Sequence, residues 1–481
     1  MKIYNSLTFA KEEFKTLEPN KVKMYVCGPT VYDSPHLGHA KSAIAFDVIH
    51  RYFKYKNYQV NIVKNYTDID DKIIKRANEL NADFQDLAAK YIKEYQEVTK
   101  ALNIEKETKN PRATEVIPFI IEFIKELIKK EHAYEKNGSV YFSVKSFPRY
   151  DSILQNVKDD IVQEEDQDYE GDQDTLFGED KLDVRDFALW KKMKEGEPYW
   201  ESPWGKGRPG WHIECSAMIL NFLGDTIDIH GGGQDLKFPH HRNEIAQSES
   251  YTGKPFVNYF MHNGFINIDD EKMSKSLGNY FLVSELLKEY DPMVIRLFLI
   301  SSHYRSSINY TLDNIEQAKK NYNRLINTMK KVKKAKVDQK ADKNVQNLIV
   351  KINKAKDRII NAMDDDFDTP SAIAEMFTTF REVNKIILEE NAKISYEFQN
   401  KFFEFVKFID IILGIFPNLE QRLKGFPIED VDVKDKLIRN LINLFSEVRT
   451  KLRNEKQYVI SDYIRAKLKE LGIELEDKPL K

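Results

Sequence analysis

The chain is poor in cysteine and in long apolar runs, and each shortage excludes a class of protein. Its 481 residues include 2 cysteines, too few for the disulfide framework of a secreted domain. No window approaches the roughly eighteen apolar residues of a membrane-spanning helix. The first fourteen residues have neither an apolar signal core nor the Arg-rich pattern of a transit peptide. We therefore expect a cytoplasmic protein without a membrane partner.

An excess of charge of one sign is also missing, since the formal net charge is -3. The charges are instead segregated along the chain. Residues 157–180 hold eleven acids against one lysine, and residues 318–343 hold ten Lys or Arg against two Asp. We predict that the acidic run is a solvated loop. The near-neutral total does not exclude nucleic acid, because phosphate binding requires only a local basic face.

The sequence begins with patterns typical of alternating strands and helices. Residues 21–26 alternate in polarity and predict a strand, residues 40–55 have apolar side chains at helical spacing, and residues 58–63 predict a second strand. This spacing favours an α/β fold with a doubly wound parallel sheet, in which ligands bind at the carboxyl ends of the strands. With 41% hydrophobic residues the chain is long enough for more than one core, so we expect two to four domains.

The turn between the first strand and the first helix carries His36-Leu37-Gly38-His39. The first amides of a helix lack partners and the helix dipole favours anions. Two histidines at this point are placed to bind the phosphates of a nucleotide and to stabilise the charge that builds up when one phosphate is displaced. The alternative is that His36 and His39 cap the helix and pack the turn.

Four side chains suited to zinc are spread over the chain between the first strand and its midpoint. Cysteine sulfur, histidine nitrogen and carboxylate oxygen are all zinc ligands, and the four are Cys27, Cys215, His240 and Glu244. His240 and Glu244 project from one face if Pro239 opens a helix. The cysteines are too far apart for a zinc finger, so the fold itself has to assemble such a site. The alternative is that both cysteines are small buried hydrophobes.

Two further segments complete the pattern. An alternating strand precedes Lys272-Met273-Ser274-Lys275-Ser276, and a glycine follows it, which is typical of a mobile flap whose ammonium groups reach a triphosphate. Residues 314–410 predict a succession of amphipathic helices. They are interrupted before Pro370, where Thr369 is expected to cap the next helix. Residues 430–481 predict one or two basic helices.

Together these motifs resemble a known family. His36-Leu37-Gly38-His39 and residues 272–276 are similar to the two signatures of class I aminoacyl-tRNA synthetases, in the same order. Four other segments make the chain similar to the cysteinyl-tRNA synthetases in particular: 25–33, 65–71, 210–215 and 238–241. The resemblance implies an enzyme that activates L-cysteine with ATP to cysteinyl-adenylate and transfers the cysteine to the 3′ end of tRNA(Cys).

The same resemblance implies roles for individual residues. One zinc ion per chain is expected in the amino-acid pocket, and Mg2+ is expected to accompany ATP. The implied metal ligands are Cys27, Cys215, His240 and Glu244. The implied catalytic residues are His36, His39, Lys272 and Lys275, and ATP is expected to contact His36, Gly38, His39 and Lys275. The implied substrate contacts are Gly28, Thr30, Thr67 and Trp211.

The patterns and the resemblance also imply a division into domains. Residues 1–100 and 200–265 are expected to form the two halves of a Rossmann-like catalytic domain, around an inserted connective subdomain at 101–199 that carries the acidic loop. A flap with connecting helices is expected at 266–312. A tRNA-binding helical bundle at 313–412 and a small C-terminal anticodon-binding region at 413–481 are expected to complete a monomeric chain.

Zinc has a chemical reason to lie in a cysteine pocket. Cysteine and serine differ by one atom, and a pocket that reads shape rejects a near-isostere by only about a hundredfold. A thiol bound to zinc ionises, whereas a serine hydroxyl stays protonated. Because four protein ligands usually close a structural site, we expect zinc to become five-coordinate, with Glu244 held loosely. A purely structural zinc is the alternative, and Arg242, where the family commonly has an acid, is expected to alter the charge beside it.

Two other functions agree with part of this pattern. One is a related ligase that joins activated cysteine to an amino sugar, and the other is a zinc-stabilised RNA-binding protein without catalysis. The long basic C-terminal part favours tRNA over the first alternative. The pair of histidines and the lysine–serine flap argue against the second.

Overall fold

The computed structural model describes residues 1–154, 181–269, 271–273, 280–338, 342–389, 393–425, 444–445, 447–449, 451–453 and 457–470. The predicted acidic loop, the middle of the lysine–serine flap with Lys275, and most of residues 430–481 lie outside this part. The chain forms two compact units, Met1–Arg422 and Leu423–Lys481. Among the described helices, none combines the length and apolarity needed to span a bilayer.

The strands of the described part are numbered in chain order. They are β1 (Lys2–Asn5), β2 (Ala10–Glu13), β3 (Lys21–Val26), β4 (Gln59–Lys64), β5 (Ala133–Lys136), β6 (Ser139–Phe142), β7 (Phe187–Lys192), β8 (Gly207–Pro209), β9 (Ile227–Gly233), β10 (Val257–Asn263), β11 (Ile266–Ile268), β12 (Glu271–Lys272) and β13 (Ile308–Tyr310).

The α-helices are numbered in the same way. They are α1 (Leu37–Tyr55), α2 (Asp71–Leu80), α3 (Phe84–Ala101), α4 (Ile117–Lys129), α5 (Trp211–Phe222), α6 (His240–Thr252), α7 (Val283–Glu289), α8 (Pro292–Ile300), α9 (Leu312–Lys334), α10 (Lys343–Asp364), α11 (Thr369–Asn384), α12 (Tyr396–Leu413), α13 (Leu419–Gly425) and α14 (Tyr458–Glu470). The last of these belongs to the second unit.

A four-stranded parallel sheet in the order β10–β9–β3–β4 lies at the centre of the first unit. Helix α1 connects β3 to β4, and α6 connects β9 to β10. The neighbours β3 and β9 therefore send their connections to opposite edges of the sheet. Ligands of doubly wound sheets bind at the carboxyl ends of such a strand pair. The predicted doubly wound α/β fold is confirmed.

Helix α1 is buried along most of its length because it has apolar side chains on more than one face. It packs against β4 of the sheet and against α8 and α12. Ile44, Phe46, Ile49 and Tyr52 are each at most 2% exposed, and burial of such a side chain stabilises a fold by about 1.5–3 kcal/mol. The helix that starts at the predicted histidine motif thus joins the sheet to the helical part of the unit.

Besides the antiparallel pair of β1 and β2, two further sheets lie outside the parallel one. Strands β5 to β8 form an antiparallel sheet in sequence order, between the two halves of the parallel sheet along the chain. Strands β12, β11 and β13 form the second, in which β11 pairs antiparallel with β12 and parallel with β13. Strand β12 ends at the first residue of the lysine–serine motif.

The helical succession predicted for residues 314–410 is present as α9 to α12. The predicted cap of α11 is wrong, because the helix begins at Thr369 itself and Asp368 precedes it as the cap. The Asp368 carboxylate accepts a hydrogen bond of 3.0 Å from the Ser371 amide. A carboxylate one residue before the helix reaches an unpaired first-turn amide, which a side chain within the helix does not.

Candidate functional site

The carboxyl ends of β3 and β9 carry a cluster of thiol, imidazole and carboxylate groups. Cys27 directly follows β3, and its amide donates to the Gly231 carbonyl of β9 at 2.9 Å. Cys215 lies on α5. His240 and Glu244 lie one turn apart at the start of α6, which Pro239 precedes as predicted.

The four side chains meet around one point, although the two cysteines are 188 positions apart. The sulfur atoms of Cys27 and Cys215 are separated by 3.8 Å, far more than the about 2.05 Å of a disulfide. His240 Nε2 lies 2.9 Å from Glu244 Oε1, and Cys27 Sγ lies 3.8 Å from the same oxygen. One potential ligand atom from each buried side chain lies within 4.8 Å of the others. The cluster is compatible with a metal ion.

The cluster favours negative charge on two of these groups. A hydrogen bond from Cys27, helped by His240, lowers the pKa of the Cys215 thiol to about 6. Burial opposes ionisation of Glu244, but attraction to His230 and His240 outweighs burial and lowers its pKa to about 2. Burial opposes a charge on His240 as well, yet Glu244 raises its pKa to about 10. Burial raises the pKa of Cys27 well above its ordinary value.

A second ring of histidines surrounds the four groups and was not predicted from the sequence. His230 Nε2 lies 2.6 Å from Glu244 Oε2, and His241 Nε2 lies 3.4 Å from Cys27 Sγ. Cys27, His230, His241 and Glu244 therefore form an alternative set of ligand atoms with the same 4.8 Å spacing. The Glu244 side chain is fully buried, and both of its oxygens have imidazole partners; its looseness in a five-coordinate zinc site stays a prediction.

The histidine ring continues away from the cluster on both sides. His241 Nδ1 lies 2.8 Å from His262 Nε2, and His262 Nδ1 lies 2.8 Å from Ser6 Oγ. His212 Nδ1 lies 3.0 Å from His240 Nδ1. Half of the ten histidines in the chain are thus gathered here, each at most 3% exposed. A histidine is seldom fully buried without a polar partner, but a sequence does not show which histidines are buried.

The predicted substrate contacts border this cluster. The Trp211 ring stacks on His240 with centroids 4.1 Å apart. Thr67 donates to Glu214 at 3.2 Å, and its backbone pairs with that of Thr30. A side chain at Gly28 is excluded, because its Cβ would lie 1.6 Å from the Asn65 carbonyl oxygen.

Asn65 and Glu214 are neighbours that the sequence did not single out. The Asn65 side-chain oxygen accepts from the Gly28 amide at 2.7 Å, and its amide nitrogen donates to Thr67 at 3.3 Å. Burial and the nearby Cys215 raise the pKa of Glu214 well above its ordinary value. Asn65 therefore fixes the backbone next to Cys27, at the edge of the cluster.

The predicted phosphate-binding histidines lie at the start of α1. The rings of His36 and His39 stack with centroids 3.7 Å apart, and the His36 amide donates to His39 Nδ1 at 3.3 Å. The chain that leaves the flap passes beside them, since the Leu37 amide donates to the Phe281 carbonyl at 3.0 Å. A Cβ on Gly38 would lie 3.3 Å from the end of the Met273 side chain. The two signature motifs therefore meet in space, although Lys275 is outside the described residues.

Arg242 does not face the four predicted ligands. Its guanidinium lies over the Phe238 ring at 4.5 Å and near the Tyr150 ring at 5.5 Å. Burial lowers its pKa. The sequence predicted that the Arg242 charge lies beside the zinc ligands, but its guanidinium faces two aromatic rings instead.

Comparison with known proteins agrees with this geometry. Residues 13–321 match the model of the tRNA synthetase class I (C) catalytic domain, and residues 358–417 match the DALR domain. The chain is 47% identical to a cysteine–tRNA ligase of Thermococcus gammatolerans over 483 residues, covering 100% of this chain and 98% of that protein. It is 46% identical to one of Staphylococcus carnosus over 475 residues, covering 99% and 97%.

Solved structures resemble the fold at lower identity. A methionyl-tRNA synthetase of Mycobacterium tuberculosis in complex with methionyl-adenylate is 16% identical, with a TM-score of 0.59 over 82% of this chain and 90% of that chain. The fold and the site thus define a class I aminoacyl-tRNA synthetase. Within that class, the chain belongs to the cysteinyl-tRNA synthetase family.

Proposed function

We propose that this chain is a cysteine–tRNA ligase, which activates L-cysteine with ATP to cysteinyl-adenylate and then transfers the cysteine to the 3′ end of tRNA(Cys). The observation that carries the proposal is the buried thiol, imidazole and carboxylate cluster at the carboxyl ends of β3 and β9. A ligand set with two thiols at the carboxyl ends of parallel strands fits the recognition of a sulfur-containing substrate.

The donor set fits a zinc ion held by Cys27, Cys215, His240 and Glu244. A tetrahedral zinc with Zn–S bonds of about 2.3 Å separates its two sulfurs by about 3.8 Å, which is the separation of Cys27 and Cys215. When bound, the zinc would supply a Lewis acid that stabilises the substrate sulfur as thiolate and so distinguishes cysteine from serine. His230 and His241 orient these ligands from behind, as outer partners of a metal site do.

The remaining pocket residues hold the amino acid in place. Trp211 and Thr67 border the bound cysteine, and the backbone of Gly28 and Thr30 lines the same side. Because Asn65 holds the Gly28 amide at 2.7 Å, this edge does not need to reorganise when substrate arrives. A fixed edge lowers the entropy cost of bringing the carboxylate to the reacting phosphorus.

Activation consists of attack by the cysteine carboxylate on the α-phosphorus of ATP, with release of pyrophosphate. His36 and His39 lie at the N-terminus of α1, which favours anions, and in this proposal they bind the phosphates and stabilise the charge that builds up there. Lys272 and Lys275 engage the phosphates from the flap, and Mg2+ accompanies the nucleotide. Gly38 leaves room for Met273 and for the approach of the nucleotide beside the helix.

Transfer follows when the terminal adenosine hydroxyl of tRNA attacks the mixed anhydride. The helical bundle α9 to α12 supplies the tRNA-binding surface, which agrees with the basic run at residues 318–343. Residues 413–481 serve as an anticodon-binding region in this proposal. The cytoplasmic location and the monomeric state stay predictions.

The test measures bound zinc and cysteine-dependent exchange of pyrophosphate into ATP on the same preparation, with serine as the competing amino acid. We expect about one zinc per chain and preference for cysteine over serine on the order of ten-thousandfold, or about 5 kcal/mol. Charging of tRNA(Cys) separates this function from an amino-sugar ligase. Exchange that proceeds equally with serine, or no charging of tRNA, would contradict the proposal.

A further inference from the structure

A series of hydrogen bonds runs along one wall of the amino-acid pocket, beside the cluster of thiol, imidazole and carboxylate groups. It starts at the Gly28 backbone amide, which donates to the Asn65 side-chain oxygen at 2.7 Å. The Asn65 side-chain nitrogen donates to the Thr67 hydroxyl at 3.3 Å, and that hydroxyl donates to Glu214 Oε2 at 3.2 Å. We call these linked groups the wall network.

The chemistry of the groups fixes the direction of every bond in the wall network. A backbone amide only donates, so the oxygen of the Asn65 side chain faces Gly28 and its NH2 group faces Thr67. Because the Thr67 oxygen accepts from Asn65, its own proton is directed at Glu214, whose carboxylate accepts. A hydroxyl has one proton and two lone pairs. The Thr67 hydroxyl therefore keeps one lone pair and has no proton left to donate to a ligand.

The backbone of Thr67 is held by the segment that follows β3. Its amide donates to the Pro29 carbonyl at 3.2 Å, and its carbonyl accepts from the Val31 amide at 3.2 Å. These two bonds fix the position of the residue on the pocket wall. The Thr67 side chain therefore meets a ligand as a hydrogen-bond acceptor.

Glu214 lies on the face of α5 that borders the pocket. Trp211 is the first residue of this helix, and residues three and four positions later lie one turn further along the same face. Those residues are Glu214 and Cys215. Glu214 is 1% exposed. Its carboxylate is thus buried between the aromatic side chain that borders the substrate and the cysteine that faces the proposed metal.

The other acids of this wall already have donors of their own. Asp68 accepts from the amide and the hydroxyl of Thr114 at 3.0 and 2.6 Å. Asp70 caps α2, and Asp71 pairs with two basic side chains. In the part of the chain that the structure describes, the Glu214 carboxylate has a single hydroxyl as its side-chain partner. A buried carboxylate is costly without a cation or further donors beside it.

The pocket wall therefore offers two acceptors side by side, the remaining lone pair of Thr67 and the carboxylate of Glu214. Such a pair suits a cationic group that only donates, and the α-ammonium group of an amino acid is one. In cysteine, two carbon atoms separate the sulfur from this nitrogen. A substrate whose sulfur lies at the cluster beside Cys215 consequently brings its ammonium group to the neighbouring Glu214.

We propose that Glu214 and Thr67 bind the α-ammonium group of the substrate, and that Glu214 is the residue through which the pocket rejects thiols that lack this group. The inference rests on the proposed function, which places Thr67 at the border of the substrate and gives Glu214 no role. A site that pairs with a polar group rejects analogues without it, because its own buried groups are then left unpaired. The metal thus reads the sulfur, and Glu214 reads the other end of the same molecule.

The experiment measures how tightly three thiols bind to the zinc-loaded full chain by calorimetric titration without ATP. L-cysteine has a thiol, an ammonium group and a carboxylate, cysteamine lacks the carboxylate, and 3-mercaptopropionate lacks the ammonium group. The test variant is Glu214→Gln, which keeps the shape of the side chain and removes its charge. The control is Asp68→Asn, since Asp68 is a buried acid of the same wall whose oxygens are occupied by Thr114. Zinc content is measured on each preparation.

We expect Glu214→Gln to raise the Kd of L-cysteine and of cysteamine about thirtyfold, because a hydrogen-bonded charge pair is lost. The Kd of 3-mercaptopropionate should change less than about twofold, and zinc content should stay unchanged. Asp68→Asn should leave all three affinities within about twofold. Thr67→Val should weaken the same two thiols and Thr67→Ser should restore them, so the proposal stays testable even if Glu214→Gln does not fold.

Three results would overturn the ammonium site: equal weakening of all three thiols in Glu214→Gln, unchanged binding of cysteine and cysteamine, or the same losses in Asp68→Asn. Equal weakening would show that Glu214 acts through the neighbouring metal ligand. Failure of the proposed function is distinguishable, because the unmodified chain would then lack cysteine-dependent exchange of pyrophosphate into ATP. An unmodified chain with normal exchange, and variants that bind the three thiols as it does, would refute the ammonium site alone.

Discussion

Two buried polar clusters in the first unit differ in how their groups face one another. In the first, two thiols, an imidazole and a carboxylate point their ligand atoms at one spot. In the second, Asp47 of α1 lies against Arg51 and the fully buried Arg296 of α8. The first brings together four potential metal-ligand atoms within 4.8 Å of one another. The second matches each hydrogen-bond donor with an acceptor.

The second cluster is satisfied without any ligand. Arg296 Nε donates to the Leu413 carbonyl at 2.7 Å, Nη1 donates to the Leu102 carbonyl at 3.0 Å, and Nη2 donates to Asp47. Asp47 also accepts from the Glu105 amide at 2.7 Å. Buried charges persist when they are paired and hydrogen-bonded, so this cluster holds α1, α8 and α12 together.

The histidines that surround the first cluster retain polar atoms with no such partner. Among the described residues, His230 Nδ1 and His212 Nε2 are buried and accept or donate no hydrogen bond. The comparison shows that side chains whose ligand atoms face one point mark a binding site. Donors that are matched with acceptors mark a structural contact between helices instead. Substitutions in the two clusters therefore have different consequences.

The largest effect is expected from His240→Gln in the converging cluster. It removes one metal ligand, so zinc content should fall well below one per chain and cysteine-dependent pyrophosphate exchange should fall about a thousandfold, or about 4 kcal/mol. Metal analysis and exchange measure both. The matched control is His132→Gln, since His132 pairs with Ser146 outside the cluster. Full zinc content and normal exchange in His240→Gln would contradict the assignment of the first cluster as a metal site.

The paired cluster should respond in stability instead. Asp47→Asn leaves Arg296 without its counter-charge, and loss of one partner of a buried pair costs about 3 kcal/mol. Denaturant unfolding should show this loss while zinc content stays at one per chain. A control is Lys254→Gln, which removes an exposed bridge to Asp225 and should cost less than about 1 kcal/mol. Loss of zinc in Asp47→Asn would contradict the structural assignment.

The lysine–serine flap belongs to neither cluster. A substitution there should therefore lower the rate of cysteine activation without changing zinc content or stability. Lys275→Ala should lower exchange at least about tenfold, or about 1.4 kcal/mol, because one phosphate contact is lost. Zinc content and unfolding should match the unmodified chain. Lys288→Ala, which removes an exposed bridge to Glu285, is the control. Near-normal exchange in Lys275→Ala would count against its role.

Lys41 is intermediate between the two clusters. Its buried ammonium donates to carbonyl acceptors, as the groups of the second cluster do, but it has no ion-pair partner within the described residues. Burial lowers its pKa to about 7. Above that pH the unfolded chain binds more protons at this site than the folded chain, so stability should rise as the pH increases from 7 toward the ordinary lysine pKa. We expect a gain of about 1 kcal/mol between pH 7 and pH 8 that Lys41→Met lacks. Identical pH dependence in both chains would exclude this account.

The sequence predicted the features that depend on residues close together in the chain or on a residue type that is rare in it. Cys27 and Cys215 are the only thiols in the chain, so a metal site with sulfur ligands has only these two cysteines to draw on. The strand, turn and helix around His36 and His39 have local periodicity, and the structure places them as predicted. The start of α6 after Pro239 followed from the same local rules.

The missed features depend on contacts between distant residues. Asp47 and Arg296 are 249 positions apart, and in sequence each reads as an ordinary surface charge. His230, His241 and His262 have no common spacing that marks a shared site. Asp366 lies among other acids, and its burial follows from the fold of Tyr4, Tyr304 and Arg305 around it. The periodicity of apolar residues in a sequence does not reveal such contacts between distant positions.

The most direct test of the account replaces zinc with cobalt(II) and records the thiolate-to-metal charge-transfer absorption. The two protein thiolates should give one intensity, and saturating cysteine should raise it because a third sulfur joins the metal, whereas serine should leave it unchanged. An unchanged spectrum with cysteine, in a preparation that still carries out cysteine-dependent exchange, would show that the metal is structural and that the pocket recognises its substrate by other means.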